Sequence, residues 1–385
     1  MGKENPTWVD AAAEKVISKM EWVSEKSKDK IPYITINGTH DDRSSKEYNL
    51  GTDDGINWWC NGFWGGMMWQ MYHATGNEKY ARISRVSEEK LDQCFVDYYG
   101  LHHDVGFMYL PTAVANYRLT GSEDSRRRGL HAANLLAGRF NHAGKFIRAW
   151  NDHPGSKEDN RGWAIIDCLM NIPLLYWASE ETGDPRFLQT AMLHADTVMK
   201  QFIRADGSVC HIVEFDPVSG DRICDYGGQG YGQGSAWTRG QAWGLYGFYL
   251  SYRHTGKQEY LDTAMRIADY FMARIPEDGI IPVDFNQPPQ PSWCDDTAAA
   301  IAACGLLEIA GAAGSEAGEK YHYAALKLLK SLYENHCDFT DKNDCILTKC
   351  TAAYHSREHE FNIIYGDYYF MEALFKLKGT DVFIW

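Results

Sequence analysis

Trp237-Thr238-Arg239-Gly240-Gln241-Ala242-Trp243-Gly244 leads into a run of apolar residues from Leu245 to Tyr252 and stops at Thr255-Gly256-Lys257-Gln258-Glu259-Tyr260. The run has helical spacing with little polar relief, which predicts a helix buried on both sides. Gly256 is placed to end it in a left-handed cap, and the polar residues after it to begin another helix. The same punctuation recurs at Thr75-Gly76-Asn77-Glu78-Lys79-Tyr80 and at Thr182-Gly183-Asp184-Pro185-Arg186-Phe187. Looser copies stand at Thr120-Gly121-Ser122-Glu123-Asp124, Ala313-Gly314-Ser315-Glu316 and Lys378-Gly379-Thr380. Each reads as a tight turn between two helices.

The helix before each of these turns is apolar nearly all round, as in Asp296 to Ala312, and the helix after it is amphipathic and charged, as in Tyr260 to Arg274. Buried and surface helices therefore alternate, near residues 6–26, 61–94, 104–138, 162–203, 237–274, 294–335 and 362–377, the first and last segments completing one pair. Twelve helices in two concentric layers predict an all-α fold, an (α/α)6 barrel, forming a single domain over residues 1–385. Pro111 and Pro173 are expected to kink inner helices. Ser208 to Phe215 is expected to form a small hairpin.

Repeat spacing also carries function. Trp59, Asp104 and Arg239 each precede the first residue of their turn by 16 residues, Asp167 by 15 and Asp296 by 17. Inner helices of equal length, rising about 1.5 Å per residue, put all of these at one end of the barrel. These are N-terminal ends, where helix dipoles favour an anion. The predicted mouth holds two or three carboxylates, an arginine and a ring of tryptophans.

Composition limits what such a mouth does. The net charge of −14 argues against nucleic acid or an anionic membrane as partner, but not against a small anion in a locally positive pocket. The 13 Trp and 23 Tyr suit carbohydrate, whose apolar ring faces pack on aromatic faces. Ten cysteines without a CxxC pair read as buried reduced thiols. The opening Met1-Gly2-Lys3-Glu4-Asn5-Pro6 lacks an apolar signal core, so the expected location is cytoplasmic.

Asp104, in His102-His103-Asp104-Val105-Gly106-Phe107, and Asp167, in Ile165-Ile166-Asp167-Cys168-Leu169-Met170-Asn171, each open an inner helix. They read either as N-caps or as a carboxylate pair. An aspartate in the apolar run around Asp167 has a raised pKa, as a general acid requires, and a neighbouring Asp104 would raise it further. Arg239 offers a two-pronged fork for a carboxylate. Asn57-Trp58-Trp59-Cys60-Asn61-Gly62-Phe63-Trp64-Gly65-Gly66 reads as an aromatic, glycine-rich approach to the mouth or as core packing, and Trp150 as a further wall. His211 is a candidate donor. His211, Cys294 and His355 contain no close ligand pair of the kind zinc sites use, so neither metal nor cofactor is expected.

Together these residues resemble the unsaturated glucuronyl hydrolases of glycoside hydrolase family 88. The resemblance runs from about Trp8 to Leu377. It rests on Gly62-Phe63-Trp64-x-Gly66, His103-Asp104-x-Gly106-Phe107, Asp167-x-x-Met170-Asn171, Trp237-x-Arg239-Gly240-Gln241-Ala242-Trp243, Asp296-x-Ala298-Ala299 and Tyr365-Gly366-Asp367-Tyr368-Tyr369. It implies an (α/α)6 barrel and an unsaturated oligosaccharide as substrate, carrying 4,5-unsaturated glucuronic acid at its non-reducing end. The implied chemistry is hydration of the C4=C5 vinyl ether. Asp167 is then general acid/base and Asp104 the second carboxylate. His103, His211, Gln229, Trp237, Arg239 and Trp243 surround the uronate, and Trp59 and Trp150 are stacking walls.

Relatives that prefer sulfated disaccharides carry Ser-x-x-Ser-x-Lys in a late loop, together with an upstream arginine. Here the loop reads Ala353-Tyr354-His355-Ser356-Arg357-Glu358, and Gly227-Gly228 falls at the upstream position. Ser356 is retained as a substrate contact, while Glu358 would repel a sulfate. Three rival readings are the related rhamnogalacturonyl hydrolases, an inverting glycosidase on a similar barrel, and a sugar-binding barrel without catalysis.

Overall fold

The computed structural model describes residues 6–45, 55–96, 100–152 and 159–385. Residues 1–5, on which the reading of the N-terminus rests, lie outside the described residues. Among the described residues, six inner helical segments form the core ring. They are Phe63–Thr75, a segmented second helix beginning with Val105–Tyr109, a third made of Cys168–Asn171 and Pro173–Thr182, then Thr238–Thr255, Asp296–Ala312 and Ile364–Lys378. Each packs on the next, and the last packs back on the first, which closes the ring. Six outer helices cover it, Glu78–Leu91, Glu123–Ala137, Pro185–Gln201, Gln258–Met272, Ser315–Asn335 and Thr7–Lys26, the last lying against Ile364–Lys378. This is the (α/α)6 barrel that the repeat implies.

The turns owe their shape to local chemistry. Gly76, Gly121, Gly183, Gly256 and Gly379 end their helices with φ between +66° and +73°, a region that costs a Cβ-bearing residue strain. Thr75, Thr182 and Thr255 each donate to the carbonyl four residues back and accept from the amide two residues on. Asn77, Ser122 and Asp184 then cap the outer helices with their side chains. The looser fifth turn differs, because Ala313 keeps right-handed geometry and Gly314 takes the positive φ.

Both prolines interrupt their helices. Pro111 sits in a π-helical turn, Leu110–Val114, between Val105–Tyr109 and Ala115–Thr120, and Pro173 begins the second piece of the third inner helix. The expected hairpin at Ser208 to Phe215 is larger than its sequence suggests. Ile212–Phe215 pairs antiparallel with Trp163–Ile165 on one side and with Arg222–Tyr226 on the other. The partner strands lie on either side in sequence, beyond the reach of a local reading.

The far end of the barrel is plugged by Trp385. Its indole stacks on Tyr369, with ring centroids 5.7 Å apart and planes 7° from parallel, and meets Phe107 edge-on at 6.0 Å. Its Nε1 donates to Glu372 Oε2 at 2.9 Å, and Arg118 holds the carbonyl of Ile384 at 2.7 Å. Phe107 in turn packs on Trp59 and Trp243. Trp385→Ala empties this plug and orphans part of Glu372, so it is expected to cost about 3–5 kcal/mol in urea unfolding. A loss below about 1 kcal/mol would mean that the neighbouring tyrosines close the gap.

Candidate active site

A cleft of about 260 Å³ opens at the end where the inner helices begin, lined by Trp58, Trp59, His102, Asp104, Trp150, Asp167, Gln229, Trp237, Arg239 and Trp243. Most of these residues precede an inner helix or stand in its first turns, as the spacing argument requires. Asp104 and Asp167 occupy N-cap positions, yet neither side chain caps its helix. That removes the bland reading of both residues, since an aspartate held for capping accepts from the first-turn amides.

Their carboxylates converge instead. His103 Nε2 lies 3.4 Å from Asp104 Oδ2 and 3.6 Å from Asp167 Oδ1, contacts without hydrogen-bond geometry. Asn171 fixes the arrangement. Its Nδ2 donates to Asp104 Oδ1 at 3.0 Å and to the Asp167 carbonyl at 3.1 Å, and its Oδ1 accepts from Phe107 N at 2.8 Å. The approach is possible because position 106 is glycine, where a Cβ would lie 2.4 Å from Asn171 Cα.

The two carboxylates differ in setting. Asp104 accepts from Asn171, whereas Asp167 Oδ1 has no hydrogen-bond partner although the side chain keeps 18% of its surface open to the cleft. Burial pushes the Asp167 carboxyl up to about 7; His103 and Arg239 pull against that shift and the charge of Asp104 adds to it. His103 is fully buried, and burial lowers its pKa to about 4, so the imidazole between the carboxylates is neutral at pH 7.

Arg239 departs from expectation. Its Nη1 reaches Asp295 Oδ2 at 2.6 Å, Thr351 O at 2.8 Å and Thr297 Oγ1 at 3.1 Å, and its Nη2 donates to Ala352 O. The forked end is therefore committed to the protein and is not a free clamp for a carboxylate. The guanidinium stands 4.6 Å from the Trp237 ring centre, so it ties the late loop to the cleft wall. Asp296, expected at the mouth, is instead 2% exposed and absent from the lining. It takes the His336 Nδ1 contact at 2.6 Å and accepts from Lys349 N at 2.9 Å, which spends it on the backbone of the same loop.

His211 lies behind the lining. Its Nδ1 accepts from Gln229 N at 3.0 Å, an approach that needs glycine at 228, where φ is +56° and a Cβ would sit 1.9 Å from the ring. Burial lowers its pKa to about 3, which leaves a neutral ring at pH 7, and its Nδ1 also lies 3.3 Å from Gly227 O. Ser356 is exposed on the late loop and does not line the cleft. That loop nonetheless borders the site, because Gln229 donates to Ala352 O and accepts from Tyr354 N. Trp58, part of the aromatic approach expected at the mouth, lines the cleft, and so does His102, to which the motifs assign no role of its own. Side-chain direction within a loop has no period from which to read such a contact.

Among the described residues, His102–His103–Asp104 and Cys294–Asp296–His336 have ligand atoms close enough for a metal ion. In the second group Asp296 is already engaged by His336 and Lys349, and Cys294 Sγ lies 3.3 Å from Glu360 Oε1. The zinc set weighed from sequence does not assemble. His355 turns its Nε2 to Tyr231 O at 2.9 Å, apart from Cys294.

A carboxylate pair under aromatic walls at the mouth of a helical barrel suits the chemistry of a carbohydrate-processing enzyme. The match to known proteins makes this specific: the pattern of Glycosyl Hydrolase Family 88 covers residues 30–384, and the chain belongs to that family. It is 38% identical to an unsaturated glucuronyl hydrolase of Bacillus sp. strain GL1 across 85% of this chain and 88% of that protein. It is 36% identical to an unsaturated chondroitin disaccharide hydrolase of Streptococcus pyogenes serotype M1, across 83% and 80% of the two chains. The crystal structure of an unsaturated glucuronyl hydrolase from Bacillus sp. GL1, described as responsible for the degradation of glycosaminoglycan, superposes with a TM-score of 0.85 at 34% identity over 96% of each chain. The protein is thus a glycoside hydrolase.

Proposed function

We propose that this enzyme releases 4,5-unsaturated glucuronic acid from the non-reducing end of lyase-generated glycosaminoglycan oligosaccharides. The observation that carries the reading is Asp167, a cleft-facing carboxyl with one unpartnered oxygen and a pKa raised to about 7. Such a group is protonated near neutrality and stands ready to give its proton away.

Asp167 delivers that proton to C4 of the vinyl ether. Positive charge develops at C5 and the ring oxygen, where the carboxylate of Asp104 eases it. Water adds at C5 and returns a proton to Asp167. The hemiketal then opens to a ketone at C5, the freed C1 hemiacetal collapses to an aldehyde, and the next sugar departs with its hydroxyl. The Trp59, Trp150, Trp237 and Trp243 rings wall the uronate, and Gln229 supplies a donor near its oxygens, with His211 holding the Gln229 amide from behind. Arg239 contributes positive potential and the shape of the wall. In this reading the whole chain works as one catalytic unit. Ten unpaired cysteines favour a reducing, cytoplasmic setting.

The test is ultraviolet absorbance of the conjugated acid with an unsaturated chondroitin- or hyaluronan-type disaccharide. Loss of absorbance with release of the partner sugar supports the reading. Steady absorbance overturns it, and turnover of pectin-derived unsaturated disaccharides alone would assign the enzyme to the rhamnogalacturonyl class. Glu358, exposed on the loop that Gln229 holds, gives a further expectation. Unsulfated disaccharide is the better substrate by about tenfold in kcat/KM, and Glu358→Lys narrows the gap. A clear preference of the wild type for the sulfated substrate would refute this.

A further inference from the structure

We infer that Asn171, which stands behind the cleft, is a positioning residue for the hydration step: it caps the second inner helix from a neighbouring one and so keeps the Asp104 carboxylate aimed at the substrate. The inference rests on the proposed hydrolysis and deepens it.

The need for such a residue begins in the backbone. A helix leaves its first amides without an intrahelical acceptor, and the residue before it usually supplies one. Asp104 holds that place before Val105–Tyr109, with φ −80° and ψ 8°. This is not the extended backbone from which an N-cap side chain meets the first-turn amides, and no such bond forms. Phe107 N, the third amide of the helix, is taken instead by Asn171 Oδ1 at 2.8 Å. The cap therefore comes from a residue far along the chain, and the Asp104 carboxylate is released from that work.

The other end of the same side chain links the cap to the chemistry. Asn171 Nδ2 carries two hydrogens, one for Asp104 Oδ1 at 3.0 Å and one for the Asp167 carbonyl at 3.1 Å. The amide can face only one way, since the reverse setting would put its oxygen against a carboxylate and a carbonyl. Aspartate at this position would fail for the same reason, and only an amide both donates to Asp104 and accepts from Phe107. A Cβ at position 106 would lie 2.7 Å from Asn171 Oδ1, so the bond to Phe107 also needs Gly106.

Asn171 is fully buried and absent from the cleft lining, so whatever it does for the reaction it does through its partners. It ends the short helical piece Cys168–Asn171, which Asp167 precedes. One amide thus fixes the Asp104 carboxylate relative to the backbone that carries Asp167. That spacing matters twice. The Asp104 charge helps to keep the proton on Asp167, and it eases the positive charge that develops at C5. An asparagine that only held two helices together could end on any acceptor, whereas here the acceptor is the reacting carboxylate.

The test is a double-mutant cycle on an unsaturated chondroitin disaccharide, with Asn171→Ser made in the wild type and in an Asp104→Asn background. Serine keeps a hydroxyl for the Asp167 carbonyl, four residues back, but is too short to reach Asp104 or Phe107. Asn171→Ser alone is expected to lower kcat by about 30- to 100-fold and to leave KM within about threefold. In the Asp104→Asn background the same change is expected to lower kcat by less than about threefold, because its route to the chemistry is already cut. Equal losses in both backgrounds would show a merely structural role and overturn the inference, as would an unchanged kcat in the single variant. Asn171→Ala, bearing the residue most favourable to a helix, repeats the cycle should the serine variant fold poorly. A crystal structure of either variant reads the inference without turnover. There the Asp104 carboxylate is expected to leave its present position by about 1 Å or more, and a carboxylate found in place would refute the role. Absence of turnover by the wild type would count against the hydration chemistry, and the crystal structure would then decide the role of Asn171 by itself.

Discussion

Asp167→Asn removes activity on the unsaturated disaccharide, lowering kcat by about 10³-fold or more while the protein still folds and binds. Asparagine keeps the shape of the side chain but has no proton to give to C4. The fold should not suffer, because Asp167 Oδ1 makes no hydrogen bond and the side chain caps no helix. Relief of a buried charge should leave stability equal or slightly higher. Activity of the variant within about tenfold of wild type would exclude Asp167 as the proton donor and move the role to Asp104.

The same carboxyl sets a pH limb. Its pKa is raised to about 7, so the acid form dominates below that value and disappears above it. The rate of the hydration step is therefore expected to be steady on the acid side and to fall as pH rises through about 7. The linkage has the same sign. A carboxyl whose folded pKa exceeds its unfolded value contributes stability that is lost as pH rises through the folded pKa. The Asp167→Asn variant should lack that part of the stability profile. A kcat that instead climbs through pH 7 would require a base in this position.

Asp295→Ala is expected to cost about 3–5 kcal/mol of stability and most of the activity. The change strands a guanidinium that is 2% exposed and loses the side chain that starts the fifth inner helix. Asp295 Oδ2 meets Arg239 Nη1 at 2.6 Å, while its Oδ1 accepts from Thr297 N and Thr351 N, at 3.1 and 3.2 Å. One carboxylate thus joins two inner helices to the late loop. Urea unfolding reads the stability, and the disaccharide assay at a temperature where the variant is folded reads the activity. A folded variant with unchanged KM and kcat would show that Arg239 does not organise the cleft. Arg239→Lys should fail similarly, because an ammonium cannot reach Asp295 and both carbonyls with the same planar geometry.

Asp167 and Arg239 mark how much of a residue's setting can be read from sequence. Asp167 was legible, because a carboxyl in the run Ile165-Ile166-Asp167-Cys168-Leu169 is expensive unless something uses it. The role of Arg239 was legible only in part. Its place beside Trp237 at a helix start follows from spacing, but its partner Asp295 is 56 residues away and no local pattern points to it. Asp296 shows the same limit in reverse. Repeat spacing put it at the mouth, and the late loop folds over it, so that His336 and Lys349 consume both of its oxygens. Ser356, in the most polar part of that loop, stays outside the lining for a related reason: loop conformation follows contacts such as Tyr354 N to Gln229 O, which carry no periodicity.

The sequence by itself determined the barrel, its alternation of buried and surface helices, and the end at which Trp59, Asp104, Asp167 and Arg239 line a cleft. Helical period, Thr-Gly caps and the spacing between them act within a few residues, so they can be read without knowing what packs against what. Tertiary structure alone decided that Asp104 and Asp167 are not caps but neighbours across His103, and that Arg239 is spent on Asp295. Those outcomes depend on which helices touch and how closely, as where Gly106 lets Asn171 bind Asp104. Close packing settles such contacts collectively, among residues far apart in the chain.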